Sequence, residues 1–461
     1  MKKFVNNLKF SESGVRGKVG HGLTPKLVCN LASAFGEYMG QGKIAIGRDT
    51  RISGEMFEMA VCAGLISVGC EVVNLGIVPT PTLQLMVKHL GCKGGIAITA
   101  SHNSIEFNAL KFIDSNGCFL DKVIANELFD IYSQGDSHSV NETYLRNVEY
   151  VTNAFEIHKE KIFNSDIDVD LIKNSKLRVA IDGCNGVGAL YSEKFLRELG
   201  CEVYAINNEP NGKFSRTPEP NGDCLQELAE TVKKYSCDIG FAQDPDGDRL
   251  TIVDNQGRIL SPHYTLALVI EHYLEQSDCD NVVINLQTSK MVSDIIKSYG
   301  CNVIYAKVGE INSVEEMIKN HAEIGGEGNC GGVIYGKIHY GRDSFAAMSL
   351  ILEMLSVNSE FTLAEIVDQL PKYYSRSAKF NVDNFTAKTV IEKLAYEFKN
   401  CNISRFDGLK IEYPSAWILV RPSNTEQILR LSVESSSQQE TDGLFIKLTD
   451  LINKLIIDIQ K

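Results

Sequence analysis

The sequence predicts an α/β protein with three similar α/β domains and a smaller C-terminal domain. The main observation is a β-α-β pattern that occurs three times, about 100 to 130 residues apart, a spacing too long for a solenoid repeat. Each copy closes with a helix-ending glycine and a strand, at residues 69–73, 200–204 and 300–304. Each copy also opens with a strand, at residues 43–47, 177–181 and 281–285.

A further strand follows each copy and leads into a polar loop. The first of these strands is short, apolar and rich in small and β-branched residues, which is typical of a buried strand. The loops begin at Thr99, Gln243 and Gly326. In an α/β protein, ligands collect at the loops that leave the carboxyl ends of strands. If the three domains share a topology, these loops occupy equivalent positions and line one cleft.

The composition changes after Phe361, where we expect the C-terminal domain to separate from the rest. Residues 371–376 have the composition of a linker. Strands are predicted at 378–382, 416–421 and 428–433, and a closing amphipathic helix at about 441–459. Trp417, the only tryptophan, is expected to anchor the core of this domain. The predicted boundaries are 1–152, 153–257, 258–370 and 371–461.

Composition excludes several classes of protein. Thirteen cysteines with no C-x-x-C spacing favour free thiols over disulfides or a zinc site. The formal charge of −13 argues against general nucleic-acid binding. No segment approaches the roughly 18 apolar residues of a membrane helix, and the N-terminus lacks the apolar region of a signal peptide. We therefore expect a cytoplasmic protein that binds neither nucleic acid nor membrane.

Ser101 lies in the first polar loop, with His102 beside it and Lys111 downstream. A hydroxyl at the edge of a sheet with an imidazole and an amine nearby is typical of a catalytic nucleophile. The sequence Ser-His-Asn is also common in turns and helix caps. This stretch alone leaves both interpretations open.

The second loop places Asp244, Asp246 and Asp248 at alternate positions. Three close carboxylates repel one another unless a cation lies among them, and oxygen ligands favour Mg²⁺, Mn²⁺ or Ca²⁺. An EF-hand is excluded because it requires glycine at loop position 6 and glutamate at position 12. A solvated acidic turn and a phosphatase-like aspartyl nucleophile are the alternatives. We predict a divalent metal site.

Two more loops carry groups suited to a sugar phosphate. Glu327 and Asn329 lie among glycines, where a carboxylate and an amide suit vicinal hydroxyls. The loop that begins at Arg421 concentrates hydrogen-bond donors that suit a phosphate. They are Arg421, Ser423, Asn424, Thr425 and, beyond the loop, Arg430. The alternative interpretation of the Arg421 loop is a hairpin turn with a surface arginine. Cations at Arg16, Arg48, Arg51 and Lys307 are each more typical of structural ion pairs.

Four motifs occur in a fixed order, 99–103, 244–249, 326–329 and 421–426. In these motifs the chain resembles the α-D-phosphohexomutases, which include phosphoglucomutases, phosphomannomutases and phosphoglucosamine mutases. The resemblance covers essentially the whole chain. It implies three similar mixed-sheet α/β domains plus a smaller α+β C-terminal domain around a central cleft. It also implies a phosphosugar substrate and a monomer or homodimer.

The resemblance further implies a role for each motif residue. Ser101 would carry a phosphoryl group and, with Asp244, Asp246 and Asp248, would hold one Mg²⁺. Residues matching positions around the phosphoserine are Arg16, His102 and Lys111. Residues matching substrate contacts are Arg249, Lys307, Glu327, Asn329, Arg421, Ser423, Asn424, Thr425 and Arg430. The reaction would interconvert hexose 1- and 6-phosphates through a hexose 1,6-bisphosphate, which also serves as activator.

The chain departs from the family pattern in the sugar loop, which in many members contains Ser-Gly-His. Here the loop has no histidine and Cys330 is an extra residue. Proton transfer therefore falls to Lys111 or His102, with His339 as a nearby candidate. The N-terminal and phosphate-loop motifs favour phosphoglucosamine mutase, with phosphomannomutase or phosphoglucomutase as the alternative. A metal-dependent sugar phosphatase and a silent sugar-phosphate-binding protein are rival classes.

Overall fold

The computed structural model describes residues 8–11, 14–135, 138–423 and 428–460. These residues form four β-sheets in succession along the chain. The first sheet orders its strands β1-β2-β6-β5-β3-β4-β7. Strands and helices of this region are β1 (Leu8–Ser11), β2 (Gly14–Lys18), α1 (Pro25–Tyr38), β3 (Lys43–Arg48), α2 (Gly54–Ser67), β4 (Glu71–Ile77), α3 (Thr80–His89), β5 (Gly94–Ile98), β6 (Phe107–Ile113), α4 (Lys122–Gln134) and β7 (Val148–Tyr150).

The second and third sheets have four strands each, ordered β11-β10-β8-β9 and β13-β12-β14-β15. The second region contains α5 (Ala154–Phe163), α6 (Val169–Ser175), β8 (Arg178–Asp182), α7 (Gly188–Glu198), β9 (Glu202–Ile206), α8 (Gln226–Tyr235), β10 (Ile239–Gln243) and β11 (Leu250–Asp254). The third contains α9 (His263–Gln276), β12 (Asn281–Asn285), α10 (Lys290–Ser298), β13 (Asn302–Ala306), α11 (Glu310–Lys319), β14 (Ile324–Glu327), β15 (Gly332–Tyr335), α12 (Ser344–Val357) and α13 (Leu363–Gln369).

The predicted repeat is confirmed by strand order and direction. Runs β4-β3-β5-β6, β9-β8-β10-β11 and β13-β12-β14-β15 share one arrangement. In each run the first three strands are parallel and the last is antiparallel. The sheets are therefore mixed, and the three polar loops all follow the third strand of their copy. Equivalent topology places these loops at equivalent edges of the three sheets.

The fourth sheet is antiparallel and ordered β16-β20-β19-β18-β17. This region contains β16 (Tyr374–Asn381), α14 (Asn384–Glu397), β17 (Asn402–Ser404), β18 (Leu409–Glu412), β19 (Ala416–Pro422), β20 (Ile428–Ser435) and α15 (Gln438–Gln460). The predicted linker at 371–376 is wrong in its second half, because β16 begins at Tyr374. Its residues are largely exposed and polar, as in an edge strand, so composition alone suggested a linker.

One apolar core runs through the first three regions, and Phe155, Phe241 and Phe345 lie in it. The C-terminal region has a separate core. Trp417 was expected in that second core, but it packs instead with Leu286 and Leu419 at the boundary with the third region. Its indole nitrogen donates to Glu434 at 2.7 Å. None of the described helices is long and apolar enough to cross a membrane.

Candidate active site

Ser101 lies in the loop after β5 and is only 2% exposed. Its φ of +47° is in the left-handed region, which is uncommon for a residue with a side chain. The Oγ donates to Asp244 Oδ2 at 2.7 Å, and His102 Nδ1 lies 3.5 Å from the same Oγ. The backbone N–H of Ser101 donates to Thr99 Oγ1 at 3.0 Å. A strained, buried hydroxyl held against a carboxylate is typical of a reactive site.

Arg51 fixes the Ser101 loop through hydrogen bonds to its backbone carbonyls. Its guanidinium pairs with Asp49, and both side chains are fully buried. It donates to the Ser101 carbonyl at 2.8 Å and also to the carbonyl of Asn103. Asp49 in turn accepts from the Thr99 hydroxyl at 2.6 Å. The structural ion pair expected for Arg51 is therefore present, and it fixes the backbone that carries Ser101.

The metal loop, residues 244–249, is the hairpin between β10 and β11. Asp244 Oδ1 closes the loop by accepting backbone N–H groups from Asp248 at 3.1 Å and Arg249 at 3.3 Å. Gly247 adopts φ +70°, which the turn requires. Asp244, Asp246 and Asp248 are all at most 1% exposed. The turn thus points three carboxylates into one buried space.

The three aspartates could hold a metal ion, because one oxygen from each lies within 4.8 Å of the others. Among the described residues, no hydrogen-bond donor reaches Asp246 Oδ1 or Asp248 Oδ1. Buried carboxylate oxygens without a donor are costly unless a cation neutralises them. An all-oxygen donor set with a serine oxygen alongside suits a hard divalent cation such as Mg²⁺.

Cations pair with the other oxygen, Oδ2, of two of these carboxylates. Lys111 Nζ lies 2.8 Å from Asp246 Oδ2, which also accepts from Thr80 Oγ1 at 2.8 Å. Arg342 donates to Asp248 Oδ2 at 2.5 Å. Although burial opposes it, the Lys111 ammonium holds the pKa of Asp246 below its usual range. Burial and the charges of Asp248 and Asp246 raise the pKa of Asp244 well above its usual range.

Further positive charge surrounds Ser101. Arg16 pairs with the side-chain oxygen of Asn103 in the same loop. Burial and the nearby Arg249 guanidinium lower the pKa of Arg16 to about 10. Burial, followed by the charges of Arg249 and Arg16, lowers the pKa of His102 well below its usual range. A bound phosphoryl group would relieve this repulsion between cations.

The sugar loop, residues 326–332, lies against the metal loop, since the Leu250 N–H donates to the Gly331 carbonyl at 3.1 Å. Glu327 is 3% exposed. Its Oε1 accepts from the Gly309 N–H at 2.7 Å and from Asn285 at 2.8 Å. Asn285 also donates to Asn329 Oδ1 at 2.7 Å, so the two predicted sugar-binding side chains are tied together.

The predicted phosphate-binding residues lie on the C-terminal sheet. Arg421 and Arg430 are directly paired across β19 and β20, and Lys379 is paired with Arg430 on the other side. Paired residues share one face of a sheet, and like charges facing each other are unfavourable unless an anion intervenes. Burial lowers the pKa of Arg421, and the Arg430 charge adds to this lowering. The row of three cations suits a phosphate.

The remaining predicted substrate-binding residues have fewer described contacts. Ser423 donates its N–H to the Ile428 carbonyl at 2.9 Å, which closes the hairpin. Asn424 and Thr425 lie outside the described residues. Lys307 is exposed and lies over the Phe406 ring at 5.2 Å, so it reaches the C-terminal region from the third. Arg249 pairs with Glu219 at 3.0 Å beside the metal loop.

Several contributors to the site lie outside the predicted residues, and Arg342 is the most central of them. It lies just before α12 and belongs to none of the four motifs, so only its position next to the helix-capping Asp343 marks it. Thr80 and Asn285 were missed for the same reason. His339 was offered as a proton-transfer candidate, but its Nε2 lies 3.3 Å from Asp343 and its ring packs edge-on against His158. Its described contacts are with this histidine–aspartate cluster.

Family models cover nearly all of the chain, in the predicted order. The phosphoglucomutase/phosphomannomutase models match as α/β/α domain I at residues 7–139, domain II at 156–257, domain III at 261–374 and the C-terminal domain at 363–450. The chain belongs to the phosphoglucomutase/phosphomannomutase family, the α-D-phosphohexomutases. The predicted fold and enzyme class are therefore confirmed.

Relatives of almost equal length have descriptions from the same family. A phosphoglucomutase/phosphomannomutase of Thermococcus kodakarensis is 36% identical over 444 residues, covering 94% of this chain and 95% of its own. A probable phosphoglucosamine mutase of Methanopyrus kandleri is 32% identical over 455 residues, covering 98% of this chain and 99% of its own. The two names differ in the sugar, so they support the phosphohexomutase family without choosing between substrates.

Solved structures show the same fold. A phosphoglucomutase/phosphomannomutase family protein of Burkholderia thailandensis superimposes with a TM-score of 0.84 at 23% identity, covering 97% of both chains. A more distant neighbour is an Aspergillus fumigatus N-acetylphosphoglucosamine mutase in complex with GlcNAc-6P and magnesium. It has a TM-score of 0.54 at 16% identity and covers 91% of this chain and 83% of that one.

Proposed function

We propose that this phosphohexomutase interconverts hexose 1-phosphate and hexose 6-phosphate through a phosphorylated Ser101, and that its main substrate is a glucosamine phosphate. The observation that carries the mechanism is the buried Ser101 Oγ, 2.7 Å from Asp244 and surrounded by cations. Because phosphoryl transfer depends mainly on positioning and charge neutralisation, this arrangement supplies what the reaction needs.

The reaction has two transfers. In the first, a free hydroxyl of the hexose monophosphate attacks the phosphorus on Ser101, the Oγ–P bond breaks and a sugar O–P bond forms. The hydroxyl proton leaves to a base, and the product is a hexose 1,6-bisphosphate. After the bisphosphate has turned round, Ser101 Oγ attacks its other phosphorus, the sugar O–P bond at that end breaks and the Oγ–P bond forms again. The proton then returns from the base to the freed sugar oxygen. Lys111 and His102 are the candidates for the proton transfer, because His102 Nδ1 lies 3.5 Å from Ser101 Oγ and the Lys111 amine lies against Asp246 in the same site.

Asp244, Asp246, Asp248 and a phosphoserine oxygen would hold Mg²⁺. When bound, the ion would supply Lewis-acid stabilisation of the charge that develops on the transferring group. The donor-free carboxylate oxygens described above support this assignment. Lys111 and Arg16 would add fixed positive charge, which is most effective in a buried site.

We further propose that Arg249, Lys307, Glu327 and Asn329 contact the sugar phosphate. The non-reacting phosphate would bind the C-terminal loop through Arg421, Ser423, Asn424, Thr425 and Arg430. That site must accept either end of the sugar, which is consistent with a C-terminal domain whose core is separate from the shared core of the other three. We retain domain boundaries at 1–152, 153–257, 258–370 and 371–461.

The choice of glucosamine rests on the N-terminal motif at residues 14–17 and the phosphate loop at 421–426, and the relative from Methanopyrus kandleri is described as a probable phosphoglucosamine mutase. The alternative, phosphoglucomutase/phosphomannomutase activity, rests on the relative from Thermococcus kodakarensis. Both sugars satisfy the carboxylate and amide of Glu327 and Asn329, so the side chains alone do not separate them.

A direct test compares glucosamine, glucose and mannose 1-phosphates as substrates, with Mg²⁺ and the matching 1,6-bisphosphate present. We expect conversion to the 6-phosphate without release of inorganic phosphate, and the highest kcat/KM for glucosamine. Phosphate release without isomerisation would indicate a phosphatase and overturn the mutase assignment. A preference for glucose or mannose would overturn only the choice of sugar.

The serine step needs a matched control. Ser101→Ala should lose steady-state turnover, because no group remains to carry the phosphoryl between the two transfers. Ser104→Ala, three residues along the same loop and exposed, should retain it. Equal activity in both variants would remove Ser101 from the mechanism.

A further inference from the structure

Arg342 joins the metal loop to the sugar loop through its side chain. Its guanidinium donates to Asp248 Oδ2 at 2.5 Å and to Glu327 Oε2 at 2.7 Å. A third carboxylate, Glu310 Oε2, lies 3.0 Å from its Nε. The side chain is about nine-tenths buried. One cation therefore holds a predicted metal ligand and a predicted sugar ligand at once.

The two carboxylates depend on Arg342 to different degrees. Glu327 has other donors, since its second oxygen accepts from the Gly309 N–H and from Asn285. Asp248 has the weaker support, because among the described residues its Oδ1 accepts no hydrogen bond and Arg249 Nε lies 3.8 Å from it. Arg342 therefore pairs with Oδ2 of Asp248 and leaves Oδ1 without a hydrogen-bond donor.

The sugar loop is shaped to leave room for this arginine. Gly332 begins β15 directly opposite Glu327 in the β14–β15 pair. A Cβ added at Gly332 would lie 2.3 Å from Arg342 Cδ and 3.1 Å from its Cγ. Real Cβ atoms do not approach so closely, so a larger residue at this position would displace the arginine side chain.

We propose that Arg342 is a positioning residue that couples sugar binding at Glu327 to metal binding at Asp248. The inference rests on the proposed function, because it assigns those two carboxylates to the sugar and the metal. When a sugar orders Glu327 and its loop, the shared guanidinium also orders Asp248, so less ordering remains to be done when the metal binds. By reciprocity, metal binding must strengthen sugar binding by the same factor.

Coupling is measured by calorimetric titration of Mg²⁺ into dephosphorylated enzyme, in which the three aspartates remain as metal ligands and no turnover occurs, with and without saturating glucosamine 6-phosphate. In the wild type we expect each ligand to lower the Kd of the other about tenfold, within the range typical of coupled sites. In Arg342→Met the coupling should fall below about twofold. The exposed-face control Arg258→Met, which loses ion pairs to Asp254 and Asp368, should retain the wild-type value.

A second variant tests the same idea without removing a charge and covers the case in which Arg342→Met does not fold. Gly332→Ala should displace the arginine and reduce the coupling in the same way. Adding Gly332→Ala to Arg342→Met should change the coupling no further, because the two substitutions act through one contact.

Two results would overturn the inference: a wild-type enzyme without coupling, or an Arg342→Met or Gly332→Ala variant that keeps it. Failure of the proposed function is distinguishable, because wild-type enzyme would then not isomerise any of the three hexose phosphates. Partial unfolding alone would lower the affinity for both ligands, but it would not abolish the coupling between them.

Discussion

Replacing Arg51 by methionine tests whether a buried ion pair holds the reactive serine. Arg51 is 1% exposed and Asp49 is not exposed at all. The substitution keeps the length of the side chain but leaves the Asp49 carboxylate buried and without its cation. Removing one partner of a buried pair costs about 3–5 kcal/mol. It also removes the donors to the carbonyls of Ser101, Asn103 and Phe107.

Hydrogen exchange with peptide-level mass spectrometry is the suitable assay. The single tryptophan, Trp417, lies in the C-terminal region, so its fluorescence does not report on the first domain. A loss of 3–5 kcal/mol corresponds to roughly 100- to 4,000-fold faster exchange through opening of the first domain. Lys319→Met is the control, because its ion pair with Glu316 is 71% exposed on the lysine side and worth at most about 1 kcal/mol.

Activity and stability should separate in the double variant Asp49→Asn/Arg51→Met. Removing the uncompensated charge should restore part of the protection against exchange. The kcat/KM should remain at least about 100-fold below wild type, because the loop that positions Ser101 still lacks its donors. Protection in Arg51→Met equal to that of Lys319→Met would refute the reasoning on stability. Wild-type kcat/KM in the double variant would show that the Arg51 donors are not needed to position Ser101.

Asp246→Asn should raise the Mg²⁺ concentration needed for half-maximal turnover by at least about tenfold, as measured by metal titration of chelator-treated enzyme. Full activity of the native enzyme in EDTA would contradict a metal site. Arg421→Ala should raise KM for both phosphosugars about tenfold or more with a smaller change in kcat, and an unchanged KM would assign the loop a structural role. Burial and the charge of Glu275 raise the pKa of Glu271 from 4.5 to about 7. Between these two pH values the folded protein therefore holds a proton that the unfolded chain has lost, and the free energy of unfolding falls as the pH rises. Glu271→Gln should flatten that slope in urea unfolding measured from pH 4.5 to 8, and an unchanged slope would contradict it.

The sequence allowed the repeated sheets to be predicted because each copy has the same strand pattern and a glycine at the same point. It also allowed the Ser101–Asp244 contact to be anticipated, since equivalent loops in equivalent domains face one cleft. The added strands β1 and β2 were not predicted. The strand β16 was predicted to begin later than it does, because its exposed polar residues resemble a linker.

Arg342 shows why the rest of the site was harder to predict. Its importance comes from contacts with residues 94, 32 and 15 positions away in sequence, Asp248, Glu310 and Glu327. No local pattern records such contacts, and the arginine reads as an ordinary residue before a helix. Arg51 had a local signal in its spacing from Asp49, but only the fold showed that the pair supports the serine loop.

The central claim is that Ser101 carries the phosphoryl group between the two ends of the sugar. The most direct measurement follows the Ser101 peptide by mass spectrometry during a single turnover of enzyme loaded with hexose 1,6-bisphosphate. We expect an increase of about 80 Da on this serine, which is lost to added hexose monophosphate at least as fast as the enzyme turns over. Sustained isomerisation with Ser101 unmodified throughout would contradict it.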